Sequence, residues 1–199
     1  MKRVVLTSLV LGALAVPLAA LASHIVVHDP NDTKGRLDVR RVEVHRHRKP
    51  RWTVVTWSGW RARAIFDRGF VLVRLDTFRT RRFDYYALVR SVGGAMKATL
   101  FRDRRWRSDI PLGPLPVSRP DRSSVRVRIA LSKLHFGKLR RYYRWTVETI
   151  FTNRDCPNTC FDHAPNSGAI REPRPGSSPT PSPSPSPSPS PSPTPTGPH

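Results

Sequence analysis

Residues 124–130 read Ser-Val-Arg-Val-Arg-Ile-Ala. Val125, Val127 and Ile129 alternate without error with Arg126 and Arg128. That is the period of a strand with one buried and one wet face. Residues 142–152 repeat the pattern. Tyr143, Trp145, Val147 and Phe151 share one face, with Thr149 between them, and Tyr142, Arg144, Thr146 and Glu148 take the other. No stretch shows sustained helical periodicity, so the apolar rows must be buried sheet against sheet.

The rest of the chain fits that constraint. In residues 37–44, Leu37 and Val39 are out of phase with Val42 and Val44, which predicts a bulge near Arg40 and Arg41. Residues 52–57 are dense in β-formers, and a less regular strand is expected over 61–66. Asp67-Arg68-Gly69 is a turn before a strand at 70–77, with Val71, Val73 and Leu75 on one face. Gly93-Gly94 predicts a hairpin between strands at 84–90 and 95–101. Pro111, Pro114, Pro116 and Pro120 exclude a central strand over 102–121. Ile110, Leu112, Leu115 and Val117 are expected there as an edge crossing over the core, and one helical turn is expected at 131–134. The prediction is an all-β antiparallel β-sandwich of jelly-roll type with seven to nine strands.

Both ends differ in composition from this middle. Lys2-Arg3, an apolar run and Ala20-Leu21-Ala22 have the form of a secretory signal over residues 1–22, cut after Ala22. From Pro179 to Thr196 proline alternates with Ser or Thr, a run that cannot bury a core and favours extended polyproline II. The expected organisation is a signal at 1–22, a sandwich at 23–170 and a disordered Pro/Ser/Thr-rich tail at 171–199. The product is expected to be a secreted monomer with no spanning segment after cleavage, in solution or associated with the cell wall.

The whole chain carries 35 Lys and Arg against 14 Asp and Glu. Residues 23–170 hold 31 of those bases and 13 of the acids, a net charge of +18. Such a field favours anionic partners, although only 6 of the bases are Lys, a skew that a GC-rich genome would also produce. Nucleic acid is not expected as a partner of an exported protein.

Asp29, Asn31, Asp32 and Asp38 surround Gly35 and offer hard oxygen ligands suited to calcium. The spacing is not that of an EF-hand loop, and the other reading makes Asp29 and Asn31 turn-formers and Asp38 a solvated strand residue. Asp155 or Asp162 joins the set if the loops meet. Trp60 and Trp106, in irregular segments, are the candidate stacking residues for sugar, with Arg126 and Arg128 as anionic-ligand contacts. Arg61, Arg63 and Arg144 are candidates for the same basic sheet face. His45 and His47 lie on one strand face, a metal pair without a third ligand or a solvated strand end. Cys156 and Cys160 are expected to form a small disulfide loop within residues 153–170, read as a connection. No Gly-x-Ser-x-Gly elbow, His-Glu-x-x-His or phosphate-binding glycine loop occurs, and Glu43 and Glu148 are the only glutamates in 23–170. No catalytic residue is assigned.

The Asp-Pro-Asn-Asp-Thr-x-Gly-x-Leu-Asp-Val-Arg run, the Tyr-Arg-Trp strand and the Cys-Pro-Asn-Thr-Cys-x-Asp-x-Ala-Pro-Asn segment resemble uncharacterised secreted actinobacterial β-sandwich proteins over most of residues 29–166. More loosely, the layout resembles DOMON-like and family-9-type carbohydrate-binding sandwiches. That second resemblance implies a calcium role for Asp29, Asp32 and Asp38 and a sugar-binding role for the domain. The expected function is non-catalytic binding of carbohydrate or an anionic cell-envelope polymer. The alternatives are a charge-driven envelope protein without a sugar site, and a hydrolase.

Overall fold

The structure, a computed structural model, describes residues 24–46, 49–58, 69–78, 82–104, 107–138, 141–153 and 156–174. Twelve strands follow one another among them: β1 (His24–His28), β2 (Val39–His45), β3 (Arg51–Thr56), β4 (Gly69–Asp76), β5 (Tyr85–Val92), β6 (Ala95–Arg102), β7 (Ile110–Leu115), β8 (Val117–Ser118), β9 (Ser124–Arg128), β10 (Tyr142–Asn153), β11 (Cys156–Ala164) and β12 (Ile170–Pro173). Among the described residues one 3₁₀ turn, Leu131–Lys133, interrupts them. A five-stranded antiparallel sheet runs β1-β2-β3-β9-β8. A seven-stranded one runs β11-β10-β4-β5-β6-β7, with β12 also paired to β10. The protein is an all-β sandwich, richer in strands than the predicted seven to nine.

The phase shift in β2 is a bulge. Val39 pairs with Thr56 and Arg41 with Val55, leaving Arg40 as the extra residue. Leu37, Val39, Val42 and Val44 are therefore all buried. The Gly93-Gly94 turn, with φ of 61° and 78°, closes the β5–β6 hairpin. The prolines behave as edge residues. β7 is the last strand of the seven-stranded sheet, and the chain then changes sheets at Pro116, whose carbonyl accepts the Arg128 N–H at 3.0 Å.

The core lies between the sheets. Val42, Trp52, Val54 and Val127 of the five-stranded sheet join Val73, Leu75, Tyr85, Val89, Trp145 and Val147 of the seven-stranded sheet in one cluster. Fully burying a side chain of this kind contributes about 1.5–3 kcal/mol. Trp52 is fully buried. Trp57, beyond the end of the same strand, is 43% exposed beneath the Arg40 guanidinium, 5.2 Å from its ring centre.

Three expectations are corrected. β1 pairs with β2 from His24↔His45 to His28↔Arg41, so the first strand lies before the acidic loop and not after it, over residues 37–44, where the sequence places it. Residues 153–170 are not one connection: β11 pairs with the second half of β10 and β12 with the first, end to end along one edge. Finally, the folded unit does not stop at Ile170. Glu172, on β12, has no exposed surface. One carboxylate oxygen accepts the Trp145 Nε1–H at 2.7 Å, and the other accepts from Tyr143 Oη at 3.2 Å and Arg46 Nε at 2.8 Å. Residues 1–22, the 61–66 strand and most of the tail lie outside the described residues.

Candidate functional site

The acidic loop joins β1 to β2, and its turn residues bring its ends together. Asp29 immediately follows the first strand, its N–H donating to the Arg40 carbonyl at 3.0 Å. Asp38 immediately precedes the second strand. Between them Gly35 takes a φ of 123°, in the left-handed region that favours glycine. A Cβ there would stand 3.1 Å from Phe151 and 3.2 Å from Cys156 Sγ, so the loop lies directly on β10 and the start of β11.

That contact explains the fourth carboxylate. Cys156 pairs with Asn153 and Cys160 with Phe151, so three residues of β11 stand opposite Thr152 alone. The Cys156–Cys160 disulfide closes this bulge, and the strand then runs on to carry Asp162 under the acidic loop. Asp162 accepts the Val39 N–H at 2.6 Å and the His163 N–H at 2.8 Å, one on each oxygen. Asp32 accepts from Asn166 Nδ2 at 2.7 Å.

Asp29, Asp32, Asp38 and Asp162 each place a carboxylate oxygen within 4.8 Å of the others. Asp29, Asp38 and Asp162 are buried. Asp29 Oδ2 and Asp38 Oδ1 are shielded from solvent and have no hydrogen-bond partner, a costly arrangement for a buried acceptor. Burial, then Asp162, Asp32 and Asp38, push the Asp29 carboxyl up to about 7. Burial, then Asp162 and Asp32, push Asp38 up to about 7 as well, against a lowering hydrogen bond from the Thr33 backbone. An all-oxygen donor set with two free buried oxygens fits a hard cation such as calcium, not a metal that prefers nitrogen or sulfur. Asp29, Asp32 and Asp38 lie together in the fold, and Asp162 lies with them. Asp155 lies outside the described residues.

A second feature lies on the outer face of the seven-stranded sheet. Register aligns Phe161, Ile150 and Phe70 in one row, Glu148, Leu72, Leu88 and Thr99 in the next, and Thr146, Arg74, Tyr86 and Phe101 in a third. Where a solvated sheet face would be polar, this one is apolar and aromatic. It forms a groove of about 410 Å³ floored by Phe70, Leu72, Leu88 and Ile150 and rimmed by Phe83, Tyr86, Arg74, Arg90, Asp103 and Asp109. Tyr86 stacks on Phe101 with ring centres 5.1 Å apart and donates its hydroxyl to Asp109 at 2.7 Å. Burial and that hydrogen bond raise the phenol above its ordinary range. Asp109 accepts the Arg104 N–H through its other oxygen at 3.0 Å, so both its oxygens serve the groove wall. Burial, then Asp109, raise the Asp103 carboxyl. Arg74 is ion-paired to Glu148 at 2.7 Å.

Of the residues expected to bind ligand, the described ones, Arg126 and Arg128, do not line the groove. Trp60 and Trp106, like Arg61, Arg63 and His47, lie outside the described residues. Arg126 and Arg128 are on β9, on the outer face of the other sheet, where Arg126 Nε donates to Thr53 Oγ1 at 3.1 Å. Arg144 does not join them: it lies on β10 and is paired to Asp76. The basic face is therefore built from Arg41, Arg51, Arg126 and Arg128 of the five-stranded sheet. Glu43 and Glu148 lie on the outer faces of different sheets, each ion-paired to an arginine. No protein family matches the chain, and no curated protein and no solved structure is similar to it.

Proposed function

We propose that this chain is a secreted, non-catalytic binding domain for carbohydrate, with calcium at the Asp29, Asp32, Asp38 and Asp162 cluster as a structural ion that fixes the acidic loop against β11. The groove on the seven-stranded sheet carries the reading. Its volume, its apolar and aromatic floor and its few convergent polar groups are those of a small-ligand site. Aromatic planes beside carboxylates and arginines suit a sugar, whose C–H face stacks and whose hydroxyls hydrogen-bond. The signal-like residues 1–22 and the disulfide support an exported protein.

A competing use of the molecule is favoured by the basic face formed by Arg41, Arg51, Arg126 and Arg128. It would hold an anionic envelope polymer by charge alone, and such binding is steeply salt-dependent. Co-sedimentation of the full protein with insoluble polysaccharides and purified cell walls, at low and high salt, separates the two. The groove predicts binding that survives high salt and weakens roughly thirtyfold in Tyr86→Ala, the loss of an aromatic hot spot worth about 2 kcal/mol. Binding that disappears with salt and in Arg126→Ala/Arg128→Ala, while Tyr86→Ala binds normally, would replace the groove by the basic face.

A further inference from the structure

The outer face of the five-stranded sheet carries a second group of ligating side chains, at its β1 edge. Antiparallel pairing sets His24 of β1 directly opposite His45 of β2. Their rings stack with centres 4.3 Å apart and planes 19° from parallel. Glu43, two residues before His45, projects from the same face. One carboxylate oxygen and one nitrogen of each imidazole all lie within 4.8 Å of one another. All three side chains reach solvent, so water or an exogenous ligand has access to the same point.

We propose that His24, Glu43 and His45 bind a divalent first-row transition ion, Zn(II) or Cu(II). Two imidazole nitrogens and a carboxylate oxygen are a donor set for these ions and a poor one for calcium. Strand pairing holds the two histidines on separate strands at a fixed separation, which reduces the ordering cost of chelation. Glu43 already accepts from Arg41 Nε at 2.6 Å. This bond orients the carboxylate, and its negative charge offsets that of Arg41. The site is separate from the four-aspartate cluster, and neither site requires the other.

The test uses the full protein purified without a polyhistidine tag and titrated calorimetrically with Zn(II) in the presence of millimolar calcium. Saturable binding is expected, weakened at least about tenfold in His24→Ala and in His45→Ala, and unchanged in Asp38→Asn. With Cu(II), electron paramagnetic resonance of the wild-type protein should show nitrogen hyperfine coupling from imidazole. Absence of saturable binding, wild-type affinity in both histidine variants, or a copper spectrum with oxygen ligands alone would each overturn the site. The copper spectrum needs no variant, so a spectrum with oxygen ligands alone overturns the site even where a substitution disturbs the edge strand.

Discussion

Calcium is expected to raise the melting temperature of this protein by about 5–10 °C at a hundredfold excess over the dissociation constant. That is the roughly 2.7 kcal/mol of mass-action linkage spread over a domain of this size. The pH dependence gives the sharper test. In chelator, Asp29 and Asp38 hold their protons up to about 7 against an ordinary value of 3.8. Between those values the native state binds more protons than the unfolded state, so this contribution to stability falls as pH rises from about 4 to about 7 and is then flat. Calcium supplies the missing counter-charge and removes the loss at neutral pH. Asp38→Asn is therefore expected to melt above the wild type in chelator at pH 7.5 and below it in millimolar calcium. This inversion separates a cation site from an aspartate that merely caps a turn, whose replacement would shift the melting temperature the same way in both buffers. A wild-type melting temperature unmoved by calcium would remove the structural ion.

How far the sequence revealed this arrangement depended on whether the deciding contact was local. The bulge at Arg40 was legible because a one-residue insertion reverses the side-chain phase, and the phase of Leu37, Val39, Val42 and Val44 is written in the chain. Asp29, Asp32 and Asp38 were legible because one turn-rich loop holds all three. Asp162 stood as a candidate only if the loops met, since its place depends on the pairing of β11 with β10, more than a hundred residues away. The groove was hidden for a different reason. Phe70 to Leu75 reads Phe-Val-Leu-Val-Arg-Leu, an almost continuous apolar run in which an outward row of Phe70 and Leu72 cannot be told from the core. β1 was hidden where Ile25, Val26 and Val27 follow closely on the apolar signal-like segment. His24 and His45 are neighbours only across strands, whereas sequence spacing pointed along the strand, to His47. β12 was hidden because its four residues, Ile-Arg-Glu-Pro, sit where composition already turns towards the Pro-rich run.

The hidden β12 carries the largest expected single-residue effect. Glu172→Ala should destabilise the protein by about 3–5 kcal/mol, the cost of breaking a buried pair, and lower the melting temperature by roughly 10 °C or more at this size. The carboxylate has no exposed surface. It is the acceptor for Trp145 Nε1 and Tyr143 Oη on β10 and for Arg46 Nε just beyond β2, so it joins the two sheets at one end of the sandwich. Removing it leaves the indole N–H and the phenol hydroxyl buried without their acceptor, and each such group costs about 1–3 kcal/mol. Arg46→Ala should destabilise as well, because it leaves the buried Glu172 carboxylate without the Arg46 charge, held by the Trp145 and Tyr143 hydrogen bonds. The same reasoning carries the folded unit past Ile170. A chain ended after Ile170, where composition alone places the boundary, should melt well below one ended after Arg174. Equal stability of the two truncations would mean that β12 is dispensable and that Arg46 and Trp145 find other partners.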